Sequence, residues 1–248
     1  MPEYSHRILL GKSGVEVSRL CFGTEHIIHY TPEEGGHILA QAAHTYGVTF
    51  WDTAPVYDSH PQVACGLKQA GRGNVQVTSK IQARTRQEAK RALDDILREL
   101  ETDYLDICLL HYVKTNELSL HLDALAYLQE AKREGKVRAS GLSAHSPSVI
   151  AQAAQLEGID VVCGTFNRSG SWIDDGTLED MGEALGCAYA ASKGVYVIKV
   201  LGLGAELPDV KGAIEFAMEK PFIHVYNLGM KNLRELEENL GIINSYQR

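Results

Sequence analysis

Four residues whose chemistries complement one another stand at or just beyond the ends of apolar runs. Thr49-Phe50-Trp51 ends in Asp52, and Tyr57 follows five residues later. Val75-Gln76-Val77-Thr78-Ser79 ends in Lys80, and Ile107-Cys108-Leu109-Leu110 ends in His111. A lysine cation beside a tyrosine favours the phenolate, so Lys80 is expected to lower the Tyr57 pKa from its usual value of about 10. Asp52 would hold Lys80 by a charge-assisted hydrogen bond. His111 can donate a hydrogen bond to an oxygen that gains negative charge. Together the four would polarise a carbonyl and deliver a proton to it. They lack a source of electrons, so a bound hydride donor is required. A single Lys or Asp at a strand end is more often half of an ion pair than a catalyst. The weight of the reading lies in the joint placement on successive units. Asp106, in mid-strand, shows the structural role and is expected to cap or pair locally. His26-Ile27-Ile28-His29 has the look of a ligand pair, yet no carboxylate or third histidine sits at metal spacing, so no metal site is expected.

The elements that must position these groups alternate along the chain. Apolar runs with strand character cover Val17–Thr24, Thr49–Ala54, Val75–Lys80, Tyr104–His111, Val137–Ser143, Ile159–Asn167, Val195–Val200 and Ile223–Met230. Stretches of helical period lie between them. Ala89, Ala92, Leu93, Ile96, Leu97 and Leu100 recur at steps of three and four, while Lys90, Arg91, Asp94, Asp95 and Arg98 fill the other face. Thr85 with Glu88, and Thr31-Pro32-Glu33-Glu34 with proline at the first helical position, are capping signals. Asn232 with Glu235 opens the last helix, with Leu233, Leu236, Leu240 and Ile243 as its buried stripe. Gly135 and Gly194 are expected to close helices. Parallel strands joined by crossover helices form sheets buried on both faces. Eight such units close naturally into an α/β fold of the (β/α)8 TIM-barrel type, with a doubly wound open sheet as the alternative. Arg7–Leu10 and Val15–Val17 flank Gly11-Lys12-Ser13-Gly14 and predict an N-terminal β-hairpin that plugs the barrel's N-terminal end.

The 248 residues are expected to form one barrel domain over 1–248, since no linker or charge block interrupts the alternation. With 24 Lys+Arg against 32 Asp+Glu and a net charge of −8, the chain is a poor candidate for nucleic-acid binding. No apolar stretch is long enough to cross a membrane, and Met1 to Gly14 do not resemble a signal peptide. The five cysteines are widely spaced and mostly in apolar runs, which predicts reduced thiols and a cytoplasmic location.

With these residues in place, the chain resembles the aldo-keto reductases. Phe50-Trp51-Asp52-Thr53-Ala54-Pro55-Val56-Tyr57 is similar to the family's segment after strand two, and Val77-Thr78-Ser79-Lys80 to its lysine-ending strand. Asp103-Tyr104-Leu105-Asp106-Ile107 through His111, Gly135 through Ser143, and Gly229 through Asn239 resemble three further motifs in the right order. The resemblance implies a barrel that binds NADPH, with NADH as the alternative, and interconverts a small-molecule carbonyl and its alcohol. It assigns Tyr57 as proton donor, Asp52 and Lys80 as the pair tuning it, and His111 as the group orienting the carbonyl. It implies nicotinamide contacts from Gly23, Thr24 and Ser143, and adenosine-phosphate contacts from Gly229, Met230, Lys231, Glu235 and Asn239. The helix start near Asn232 adds bare N–H groups for phosphate.

The sequence departs from the family's pattern at three places. Ala144 and His145 follow Ser143 where the family has Asn, and Cys163 stands where it has Gln; both normally hold the nicotinamide carboxamide. Glu235 stands where many members carry Arg or Gln against the 2′-phosphate, leaving Lys231 or Arg234 to offset the repulsion. Tyr196 or Leu201 stands near the position of the aromatic that usually stacks on the nicotinamide. Two other functions are compatible with the residues: a Schiff-base lyase using Lys80 as nucleophile, and a cofactor-binding regulatory barrel with little turnover. Oligomeric state is not legible.

Overall fold

In the computed structural model, which describes residues 6–246, each apolar run becomes a strand and each periodic stretch a helix. The ends of the expected 1–248 domain, residues 1–5 and 247–248, lie outside the described residues. An antiparallel hairpin of β1 (Arg7–Leu9) and β2 (Glu16–Ser18) comes first. Eight parallel strands follow: β3 (Leu20–Gly23), β4 (Phe50–Asp52), β5 (Gln76–Ile81), β6 (Leu105–Leu110), β7 (Val137–Ala144), β8 (Val161–Thr165), β9 (Gly194–Ile198) and β10 (Val225–Gly229). They pair in sequence order, and β10 closes on β3 to complete a (β/α)8 barrel. The helices after successive strands are α1 (Pro32–Tyr46), α2 (His60–Ala70), α3 (Arg86–Glu99), α4 (Leu122–Arg133), α5 (Pro147–Gln155), α6 (Leu178–Ala190), α7 (Val210–Met218) and α8 (Leu233–Ser245).

Strand alternation divides the core in two. Phe22, Trp51, Val77, Cys108 and Leu142 point outward and pack under the helices. Cys21, Phe50, Ile107, Leu109, Ala139, Val161, Cys163, Tyr196 and Val225 point inward and fill the barrel. Leu10, Val15 and Val17 of the hairpin join this inner cluster, so the hairpin does plug the N-terminal end. Each such side chain contributes about 1.5–3 kcal/mol by burial. The plug is pinned where the Lys12 N–H donates to the Ser192 carbonyl at 2.9 Å.

The capping boxes at Thr31 and Thr85 form as expected. On α3, Ala89, Leu93 and Ile96 face the core. Gly135 takes the left-handed conformation (φ +79°) after α4.

Two expectations are corrected. Val17 belongs to the hairpin, where it pairs with Ile8, and the first barrel strand starts only at Leu20. Gly194 does not close α6; Ser192 takes the left-handed turn (φ +64°) and Gly194 begins β9. Glycine is required there because a Cβ would come 2.9 Å from the Leu10 Cβ of the plug. Asn232 with Glu235 does open α8: Asn232 accepts from the Glu235 N–H at 3.0 Å, and the Glu235 carboxylate accepts from the Lys231 N–H at 2.7 Å.

Candidate active site

Asp52 ends β4, and the β5 register sets Asp52 against Thr78, two residues before Lys80. Both side chains turn into the C-terminal mouth of the barrel and are about 1% exposed. Lys80 Nζ donates to Asp52 Oδ1 at 2.6 Å and to the Thr53 carbonyl at 3.0 Å. Its third hydrogen bond runs to Tyr57 Oη at 3.3 Å. Tyr57 ends a short 3-10 turn, Pro55–Tyr57, and Asp58 then reverses the chain in the left-handed region (φ 55°). The His111 ring meets the Tyr57 ring edge-on, with centroids 5.9 Å apart. The four residues expected to act together therefore do meet.

Beneath Tyr57 lies a hydroxyl chain whose direction follows from counting hydrogens. Thr24 Oγ1 donates to the Asp52 carbonyl at 2.9 Å. Its one hydrogen is thereby used, so Ser59 Oγ donates to Thr24 at 2.7 Å and Thr53 Oγ1 donates to Ser59 at 2.9 Å. The chain ties β3, β4 and the start of α2 together on both sides of Tyr57.

Electrostatics corrects one expectation. Burial pushes the Tyr57 phenol up to about 12; Lys80 pulls the other way but does not win. Burial alone would lower the Lys80 pKa, but Asp52 and its hydrogen bond outweigh that and hold the ammonium well above its ordinary value. This is the opposite of what a Schiff-base nucleophile needs. Burial, helped by Lys80, drives His111 down to about 3, so its ring is neutral at physiological pH. Among the described residues, the buried Nδ1 of His111 meets no hydrogen-bond partner.

A cavity of about 570 Å³ opens from Asp52 and Tyr57 and runs outward across the ends of β3, β9 and β10 to the first half of α8. Gly23, Thr24, Gly229, Lys231, Glu235 and Asn239 all line it. Ser143 and Met230 do not. Ser143 Oγ accepts from the Tyr112 N–H at 2.8 Å, and Met230 is buried in the outer core. Lys80 and His111 stand beside Tyr57 rather than on the cavity wall.

Tyr196 and Cys163 are both buried in the barrel interior, and Tyr196 donates to Asp52 Oδ2 at 2.9 Å. Tyr196 therefore supports the Asp52 carboxylate, while Ile198, Lys199 and Leu201 line the cavity wall. Asn227 also lines the cavity, with a buried Oδ1 that has no hydrogen-bond partner among the described residues. Its signal in the sequence was a lone amide inside the apolar run Ile223–Met230.

Asp106 is structural as expected: it accepts from Arg72 at 2.9 Å, Arg138 at 3.1 Å and the Val77 N–H at 2.9 Å. Among the described residues no three or more His, Cys, Asp or Glu groups converge as metal ligands. No helix among them is long and apolar enough to cross a membrane.

The model of the aldo/keto reductase family matches residues 19–192, which include all four of these groups. The chain belongs to the aldo/keto reductase family. Among its relatives, L-galactose dehydrogenase from Arabidopsis thaliana is 25% identical over 86% of this chain and 70% of that protein. A probable aldo-keto reductase from Glycine max is 29% identical over 62% of this chain, and the match spans about half (49%) of that protein's length. A solved putative aldo-keto reductase described as from Pseudomona aeruginosa superposes with a TM-score of 0.82. It is 24% identical and covers 97% of this chain and 94% of its own. The holo form of an aldo-keto reductase from Bacillus halodurans gives 0.81 at 19% identity, covering 98% and 92%. These structural likenesses show the shared barrel. Relatives of this chain are named as reductases and dehydrogenases.

Proposed function

We propose that this chain reduces a small aldehyde or ketone to an alcohol, or runs the reverse reaction, using NADPH with NADH as the alternative. The observation that carries the reading is the contact of Lys80 with both Asp52 and Tyr57 at the barrel mouth, beside a neutral His111.

The residues present fit a nicotinamide cofactor. The cavity reaches from the tetrad to the first turn of α8, where the helix dipole favours an anionic group. A Cβ on Gly23 would lie 2.6 Å from Asn227 Oδ1, and one on Gly229 would lie 2.5 Å from the His26 ring, so Asn227 and His26 pack directly on both strand ends. In this reading Gly23, Thr24 and Asn227 border the nicotinamide end, while Gly229, Lys231, Glu235 and Asn239 border the adenosine end. Ser143 and Met230 act from behind, by holding the β6–β7 crossing and the outer core. The bound cofactor supplies the hydride.

The rest is done by the chain itself. Tyr57, which keeps its proton at neutral pH, gives it to the carbonyl oxygen. Lys80 steadies the phenolate that remains, at 3.3 Å. Asp52 keeps Lys80 charged. The neutral His111 donates an N–H to the same oxygen and fixes its direction.

The test is a Tyr57→Phe variant assayed with a reactive aldehyde beside titrations of NADPH and NADH by fluorescence. Loss of turnover by about 10²–10⁴-fold, with cofactor affinity kept, is expected. Cofactor binding without turnover in the wild type would instead favour the regulatory reading.

A further inference from the structure

One cation at the catalytic end of the cavity is used by none of the steps above. Lys199 directly follows β9 and lies on the cavity wall with Asp52, Tyr57 and Ile198, half-buried. Among the described residues its ammonium forms neither a hydrogen bond nor an ion pair. Glu25 shares the cavity wall and attracts it only from beyond ion-pair distance. Burying an unpaired cation is costly, and the cost shows: desolvation pulls the Lys199 pKa below its ordinary value.

The backbone adds a second oddity. Lys199 sits at φ 58°, a region that L side chains rarely adopt and that costs of order 1 kcal/mol or more. The Gly202 N–H holds the turn by donating to the Lys199 carbonyl at 2.7 Å, and Gly202, Leu203 and Gly204 are left-handed as well. A strained loop thus presents an unpaired lysine to the cavity. Its charge also reaches the carbonyl-orienting side of the site, since it helps to depress both His111 and His145. A lysine placed this way is a point charge waiting for a negative oxygen.

We propose that Lys199 binds an anionic oxygen group, a carboxylate or phosphate, on the molecule that occupies the catalytic end of this cavity. That group belongs either to the carbonyl substrate, which would then be an oxo-acid or an aldehyde phosphate, or to the cofactor's diphosphate. The substrate arm rests on the reductase reading; the anion site itself does not.

The experiment compares wild type with Lys199→Gln and Lys199→Arg. It measures kcat/KM for 4-carboxybenzaldehyde and for benzaldehyde, and Kd for NADPH by nucleotide fluorescence. A substrate anion predicts that Lys199→Gln lowers the preference for the carboxylated over the neutral aldehyde by about tenfold or more, the step worth about 1.4 kcal/mol, and that Lys199→Arg restores it. A cofactor anion predicts an unchanged preference with a Kd weakened about tenfold and recovered by Arg. If Lys199→Gln alters neither quantity, the proposal is wrong. Should the wild type turn over neither aldehyde, the reductase reading falls on its own. Calorimetric binding of inorganic pyrophosphate and of 4-carboxybenzaldehyde then decides: binding weakened in Lys199→Gln upholds the anion site, and equal or absent binding in both proteins overturns it.

Discussion

Replacing Tyr196 with Phe removes one oxygen from the middle of the barrel and isolates its structural role. The Asp52 carboxylate is 1% exposed, so no water can substitute for a lost partner. Lys80 serves Oδ1 at 2.6 Å and Tyr196 serves Oδ2 at 2.9 Å. Phe keeps the ring and its edge-to-face contact with Phe50, at 5.7 Å between centroids, and opens little space. The change therefore isolates a hydrogen bond to a buried charge, which is worth about 1.5–3 kcal/mol. For a chain of this size each kcal/mol moves Tm by about 2–4 °C, so Tyr196→Phe should melt about 3–12 °C lower. Calorimetry on the purified variant measures this, and guanidinium unfolding with an unchanged slope shows that the native fold is kept. If Tyr196 were instead an aromatic platform for the cofactor, Phe would serve as well. A variant melting within about 1 °C of wild type would refute the assignment of its hydroxyl to Asp52.

Four further outcomes follow from the geometry. His111 is held near 3 by burial and Lys80, so kcat/KM should show no inflection between pH 5 and 8, and one near pH 6.5 would contradict the neutral ring. The same shift makes the unfolded chain bind the extra proton first. Its stabilising share is complete above about pH 6.5 and is lost as pH falls toward 3, at up to about 1.4 kcal/mol per pH unit, so urea midpoints of His111→Gln should fall less steeply with acid. Glu235→Gln keeps an acceptor for the Lys231 N–H but removes a charge from the α8 end of the cavity. The NADPH-to-NADH affinity ratio should rise roughly fivefold, about 1 kcal/mol; an unchanged ratio would place the 2′-phosphate elsewhere. Gly194→Ala drives a methyl against Leu10 and should cost about 1–3 kcal/mol, read as a lower Tm.

The parts legible in the sequence were those that depend on local pattern. Capping at Thr31 and Thr85 is a contact within four residues, and the apolar runs carry strand and helix in their spacing. The meeting of Asp52, Lys80 and His111 followed because each stands at or next to the end of its strand and the strands are neighbours. What escaped depends on inward or outward parity and on distance in the chain. Tyr196 and Asp52 are 144 residues apart, and whether the phenol points into the barrel depends on where β9 begins. The plug sets that start, because it requires Gly194 at the first strand position. The Tyr57 pKa was misjudged because charge neighbours are readable from sequence while burial is not. Lys199 gave no signal, since its position depends on a left-handed backbone that nothing in its residue type favours.

The hydroxyl row Thr53, Ser59 and Thr24 can be oriented in one sense only, because its last hydrogen is committed to the Asp52 carbonyl. A row that cannot be reversed cannot pass protons along by turnover of its dipoles. Lys80 is committed as well, with its three hydrogens directed to Asp52, Thr53 and Tyr57. The hydroxyl row is therefore no proton wire. In the proposed reaction, the proton that Tyr57 gives up is expected to come back through water entering the cavity mouth, so restoring the phenol is coupled to opening to solvent.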